Sequence, residues 1–156
     1  MINRIIILVI LFSTTFLFSC EKEITTTTKK IEKHNNDDNT SKNLITVAEF
    51  IKGNFGNSYV LVGGYIVGAC SKSILNAVWA PPFKKETSVL IADEKGETNP
   101  NKVIAISLKN EEMREKYSPY YNIKNYCKMV WFYGKKQKYL GIVGMSRTIV
   151  GYGDID

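Results

Sequence analysis

Hydrophobic positions along the chain fall into blocks whose spacing changes from one block to the next. An almost unbroken apolar run, Ile5 to Phe18, follows Asn3 and Arg4 and is interrupted only by Ser13, Thr14 and Thr15. The next stretch, 21–43 (EKEITTTTKKIEKHNNDDNTSKN), has only Ile24 and Ile31 as apolar residues. Beyond it the pattern becomes that of a folded domain. Thr46-Val-Ala-Glu49 has the spacing of a capping box, in which the Thr46 hydroxyl accepts from the Glu49 N–H and the Glu49 carboxylate accepts from the Thr46 N–H. Val47, Phe50 and Ile51 then share one face at i, i+3 and i+4, and Gly53 supplies a stop. This predicts a short helix covering a core.

Strand-like blocks follow. Tyr59–Gly68 (YVLVGGYIVG) is rich in β-branched and aromatic residues, with Gly63-Gly64 where a bend or bulge would let a first strand pair on both sides. Val89–Ala92 is a second strand, followed by the turn Asp93-Glu-Lys-Gly96, and Val103–Leu108 is a third with Ile104, Ile106 and Leu108 on its apolar side. Asn110 caps a short helix whose first turn holds Glu111 and Glu112, where the helix dipole favours acids, and Pro119 ends it. Lys128–Tyr133 and Tyr139–Val143 are the last two long strands, joined by Gly134-Lys-Lys-Gln-Lys138. Trp131 alternates with Met129 and Tyr133 and reads as core or half-core. Tyr117, Tyr120, Tyr121 and Tyr126 bracket the second helix against the bottom of the barrel. The fold class expected is mainly β: a five-stranded OB-fold-like barrel with a short N-terminal helix and a helix between strands three and four.

Composition narrows the function classes. The 156 residues carry 21 Lys+Arg, 15 Asp+Glu, three cysteines and one histidine, for a net charge of +6. That length fits one domain and an appendage. The single histidine, His34, lies in the polar stretch, so His-based metal clusters and most His-dependent catalysis are excluded from the domain. Residues 44–156 hold 15 Lys+Arg and 10 Asp+Glu, so the domain itself carries +5.

The basic start and short apolar run make a secretory signal, too short for a comfortable bilayer span. Leu17-Phe18-Ser19-Cys20 resembles the bacterial lipobox, in which the Cys is lipid-modified and becomes the new N-terminus. The expected organisation is a signal peptide at 1–19, lipidated Cys20 with a disordered tether through 43, and the domain at 44–156. Glu21 and Glu23 resemble the acidic stretch that accompanies surface export in Bacteroidota lipoproteins, and a chance acidic tether explains them too. The expected location is the cell envelope, lipid-anchored in the outer membrane, with the leaflet open.

The segments TVAEFI, GGYIVG, SVLIADEKGETNPNKVIAISL and YGKKQKYLGIVGMSRT are similar to a Bacteroidota family of lipoprotein OB-fold domains of unknown function. There a V-x-GYIVG strand, an N-x-LIAD strand and a G-x-x-x-x-Y-x-G-x-x-G hairpin recur in this order. The resemblance spans about residues 46–150 and implies the fold; it brings no catalytic residues. Residues 69–86 are longer here than in that pattern.

Three groups of residues are candidates for chemistry. In an OB-type barrel the end of strand one lies beside the start of strand four, so Cys70 and Cys127 could form a disulfide in an oxidising compartment; two unpaired buried thiols are the alternative. No His or obvious base lies in the domain to make either a nucleophile. Asp93, Glu94, Glu97, Asn99 and Asn101 gather oxygens around Gly96 but lack the alternation of a calcium loop, so an acidic turn is favoured and no metal is expected. The third group is the candidate ligand site. OB barrels usually bind on strands two and three, between the loop after strand one and the loop joining strands four and five. Here those loops supply Trp79, Phe83, Lys84 and Lys85, and Lys135, Lys136, Lys138 with Tyr139. Aromatics beside lysines suit stacking on a flat ligand; the competing expectation is that Trp79 and Phe83 fold back as a plug. The function expected is a non-catalytic, lipid-anchored binding module without cofactor, presenting this surface to a glycan, peptide or protein. The alternatives are a single-stranded nucleic-acid binder and a structural subunit of an envelope complex.

Overall fold

The computed structural model describes residues 43–156, so the expected signal peptide, Cys20 and nearly all of the expected tether lie outside the described residues. The chain runs β1 (Leu44–Ile45), α1 (Val47–Lys52), β2 (Tyr59–Cys70), β3 (Ser88–Ala92), β4 (Val103–Ser107), α2 (Glu111–Tyr117), β5 (Met129–Lys135), β6 (Gln137–Tyr139), β7 (Ile142–Met145) and β8 (Gly151–Asp154). Single 3-10 turns lie at Ile74–Asn76, Pro100–Lys102 and Ile123–Asn125. The strands make one sheet of eight in the order β6-β7-β4-β3-β2-β5-β8, with β1 parallel to β2, and the sheet is not closed.

β2 organises the sheet. Its first half pairs with β5, from Tyr59↔Lys135 to Tyr65↔Met129, and its second half pairs with β3, from Tyr65↔Ala92 to Cys70↔Ser88. The ladder breaks register between Ile66 and Gly68, beyond the glycine pair where a bend was expected. Gly64 answers a different need: a Cβ there would stand 2.8 Å from the Ala92 carbonyl oxygen and 2.9 Å from a Val47 methyl.

Alternate residues of the strands enter two apolar clusters. One holds Val62, Ile66, Val89, Ile91, Ile104, Ile106, Val130 and Phe132, covered by Val47 and Phe50 of α1 and Met113 and Tyr117 of α2. The other, on the opposite face, holds Val67, Cys70, Leu90, Ala92, Val103 and Ala105. β3 and β4 are thus buried on both faces, which is why they read as continuous apolar runs without polar alternation.

α1 is only six residues long, and a helix so short depends on tertiary contacts. The expected capping box is present: Thr46 Oγ1 accepts from the Glu49 N–H at 3.1 Å, and Glu49 accepts from the Thr46 N–H at 2.8 Å. The bond from the Thr46 N–H, and then one from the Thr46 hydroxyl at 2.9 Å, hold the Glu49 carboxyl below its ordinary range. Asp93 adds a second cap from the end of β3, accepting from the N–H groups of Val47 at 2.6 Å and Ala48 at 2.8 Å.

Two expectations are corrected. Eight strands replace five, partly because the expected strand Tyr139–Val143 is a hairpin: Leu140 (φ 54°) and Gly141 (φ 96°) turn the chain between β6 and β7. Of the expected loop 134–138, only Lys136 lies between strands. The Cys70–Cys127 bond is not made, and Cys70 is a free, buried thiol. Cys127 donates its N–H to the Ile66 carbonyl, so β2 runs four residues past that point, roughly 13 Å along an extended strand. A disulfide spans about half that between Cα atoms. Burial, and then the nearby Glu86 carboxylate, push the Cys70 thiol up to about 12.

Candidate functional site

The long segment after β2 packs back on the sheet. Ala69 and Val78 exchange N–H···O bonds of 3.0 and 2.8 Å, and the Ile74 N–H donates to the Leu140 carbonyl at 2.8 Å. These bonds lay the segment over the second apolar cluster, where Ile74, Ala77 and half-buried Trp79 pack together with Tyr139, Leu140 and Ile142. The indole lies so close to the sheet that a Cβ on Gly68 would stand 3.2 Å from its Cε3. The segment's far end is fastened below: the Tyr126 hydroxyl donates to the Trp79 carbonyl at 2.9 Å, and the Phe83 and Tyr126 rings are 5.3 Å apart. Trp79 therefore covers part of the β3–β4 face that sequence patterning offers as the ligand surface, while Phe83 packs on Tyr126.

The lysines separate by element. Lys84 is exposed. Lys85 lies 3.7 Å from Glu111 and over the Tyr121 ring, contacts that raise its pKa, the Tyr121 hydroxyl contributing most. Glu111 is held low, first by the hydrogen bond from Tyr121 and then by the one from Arg114. At the opposite loop, Lys135 donates to Asn57 at 2.9 Å and stands over the Tyr59 ring. Lys136 donates to the carbonyls of Ile51 at 2.6 Å and Gly53 at 2.7 Å, capping the C-terminal end of α1. Tyr139 shares a 2.8 Å hydrogen bond with Ser88. Lys138 is exposed on β6. Trp79 and Phe83 thus meet at Tyr126, Lys85 meets Glu111 and Tyr121, and Lys135 and Lys136 lie against Asn57 and the end of α1.

The hairpin does border a groove. About 550 Å³ lies between α1, the Pro100–Lys102 turn and β6–β7, floored by Ile51, Val103, Ile142 and Val143 and rimmed by Asn101, Gln137 and Lys138. Ile51 and Asn101 also line a neighbouring depression of about 350 Å³, which adds Lys52, Asp93, Glu94, Glu97 and Lys102. The acidic turn is internally bonded there. Glu97 accepts from the N–H groups of Thr98 and Asn99 at 2.9 Å and lies 3.4 Å from Lys102, and the Asn99 bond leads in holding its carboxyl low. With Asp93 capping α1, these carboxylates are structural, and no group of three or more metal-binding side chains occurs among the described residues. Sequence reasoning missed Ile51, Val103, Ile142 and Val143 as lining residues. Each reads as core on its own strand or helix, and only the turn at Leu140–Gly141 brings them to one groove.

The chain is thus a mainly β domain of eight strands and few helices, with a groove of apolar floor and polar rim that adjoins a second depression at Ile51 and Asn101. It belongs to the family described as a domain of unknown function (DUF6359), which matches residues 45–152. No curated protein and no solved structure matches the chain.

Proposed function

We propose that the protein is a non-catalytic binding module, lipid-anchored to the cell envelope through Cys20, and that it holds a glycan or an extended peptide in the groove beside the β6–β7 hairpin. The observation that carries this reading is the groove's form: apolar floor, polar rim, and continuation past Ile51 into a second depression of mixed charge. An apolar floor with a few polar groups at its rim is the usual form of a ligand pocket, and two adjoining depressions give a chain-like ligand room to run from one to the other. The strand neighbours support an OB-type barrel: β7 is parallel to β4, and β8, after residues 146–150, is antiparallel to β5. β7 and β8 then act as one interrupted fifth strand, and the groove lies beside its first half.

The test uses the chain 20–156 with Cys20→Ser, which keeps lipid off. Pooled neutral oligosaccharides, extended peptides and single-stranded oligonucleotides are titrated calorimetrically at low and moderate salt, with Val143→Lys as the groove variant. A salt-tolerant response to sugars or peptides, lost in a still-folded Val143→Lys protein, is the expected result. Binding of oligonucleotides that collapses with salt would replace this reading by the nucleic-acid one.

A further inference from the structure

A second surface lies on the outward side of β2, β5 and β8. Register places Leu61 opposite Tyr133, Gly63 opposite Trp131, and Tyr133 and Trp131 opposite Gly151 and Gly153. While Val62, Val130 and Phe132 point to the core, Tyr59, Leu61, Trp131 and Tyr133 point away from it. The indole of Trp131 lies directly over Gly153, where a Cβ would come within 2.6 Å of it. A depression of about 430 Å³ is lined here by Leu44, Leu61, Trp131, Tyr133, Val150 and Ile155, with no charged side chain. Among the described residues, five large apolar side chains are exposed; Leu44 (36%), Tyr59 (43%) and Val150 (63%) are three of them and all stand on this face. Its margin carries Lys135, 4.8 Å over the Tyr59 ring, and Lys128, paired with Asp154 at 2.8 Å.

We infer that this face docks on an anionic lipid surface, with Trp131, Leu44 and Val150 entering the boundary between headgroups and acyl chains. Amphipathic aromatic rings and aliphatic side chains margined by lysines are what that boundary accepts. Lys135, whose partners Asn57 and Tyr59 are uncharged, keeps a cation at this margin that complements anionic headgroups. The proposal rests on the lipid-anchored reading for its geometry. Leu44, which lines the depression, is where the tether of residues 21–43 joins the domain. On that reading, a polar tether of that length would reach roughly 25–30 Å. The bilayer is then present at high effective concentration, and a weak docking contact suffices to orient the domain. The hairpin groove lies on other elements and stays open to its ligand while this face is docked.

The experiment uses the 20–156 chain with Cys20→Ser and Trp79→Phe, so that Trp131 alone reports. It is mixed with vesicles of equal parts phosphatidylcholine and phosphatidylglycerol, or of phosphatidylcholine alone, and co-sedimentation and tryptophan emission are followed. The expected result is blue-shifted emission and co-sedimentation with the anionic vesicles, weakened by salt. Val150→Glu and Leu44→Asp, both at exposed positions, should each lower partitioning about tenfold or more. Folded protein that leaves anionic vesicles unbound overturns the proposal. So does a dimer in sedimentation velocity that Val150→Glu dissolves, or Trp131 quenching by neutral oligosaccharides without vesicle binding. Palmitate labelling of the wild-type chain in cells separates the two readings: labelled Cys20 without vesicle docking sinks only this proposal, and docking without labelling sinks only the anchor.

Discussion

Replacing Trp79 by alanine distinguishes a ligand platform from a structural cover. The indole is half-buried against the cluster of Val67, Cys70 and Leu90, and sits over Gly68. A half-buried tryptophan withdraws on the order of 150 Å² of apolar surface from water. At ~25 cal/mol per Å² that is about 4 kcal/mol, and the compactness of the unfolded chain reduces it to about 3 kcal/mol. The backbone bond from Tyr126 to the Trp79 carbonyl does not need the indole, so Tyr126→Phe should cost a separate amount of about 1 kcal/mol. Equilibrium urea unfolding followed by far-UV circular dichroism measures both. An unchanged slope with a lowered midpoint is expected, because the fold persists and only its cover is weakened. A Trp79→Ala protein within about 1 kcal/mol of wild type that has lost oligosaccharide or peptide binding would refute the packing argument and return Trp79 to the ligand site.

Three further perturbations follow from particular contacts. Gly144→Ala would place a Cβ 2.2 Å from the Ala105 carbonyl oxygen across the β4–β7 pair, so it should lower stability by roughly 3 kcal/mol and speed amide exchange at Met145; native-like exchange there would contradict the close approach. Asp93→Ala removes the acceptor for two N–H groups of α1 and should cost about 1–2 kcal/mol in thermal or urea unfolding, while calcium leaves the wild-type melting temperature unmoved; a calcium-induced rise abolished by the substitution would make the turn a cation site. Cys70 titrates near 9 when exposed and about 12 when folded, so the unfolded chain loses this proton first and folding stability falls as pH rises above about 9. The fall contributed by this group approaches about 1.4 kcal/mol per pH unit between those values, and Cys70→Ala should flatten the pH 9–10 part of the curve; an identical slope in the variant would remove Cys70 as its cause.

Much of the scaffold was legible from patterning, because local chemistry and burial agree there. The capping box at Thr46–Glu49, the helix after Asn110 and the cores of β2 to β5 all have side-chain periodicities that their environments satisfy. The misses have physical causes. β1 spans two residues, too few for any period, and β8 is Gly-Tyr-Gly-Asp, whose glycines leave room for Trp131 and give no apolar alternation. Tyr-Leu-Gly-Ile-Val looks like continuous strand because Leu140 is apolar, yet it takes a positive φ beside Gly141. The candidate site was the least legible part. Trp79 and Phe83 were identified as special, but whether an aromatic loop faces a ligand or its own sheet depends on the second apolar cluster, and the residues of that cluster lie on three separate strands.

The same structure alters what the positive charge can mean. A nucleic-acid footprint needs cations aligned on one surface and available to phosphates. Here Lys85 faces Glu111, Lys102 faces Glu97, Lys128 faces Asp154, Lys109 donates to the Ile149 carbonyl, and Lys136 donates to two carbonyls of α1. These lysines hold elements together at separate places on the domain. Along the two-lobed groove, the lysines without such a bond are Lys52 and Lys138, and they share it with Asp93, Glu94 and Glu97. Each phosphate contact on a single strand contributes about −0.7 to the slope of log affinity against log salt, so a strand lying in this groove should show a slope near −1.5. Fluorescence anisotropy of a labelled oligonucleotide over a range of salt concentrations measures it. A slope of about −4 or steeper would mean that the strand meets more cations than this groove offers, and the ligand would then be a nucleic acid bound on another surface.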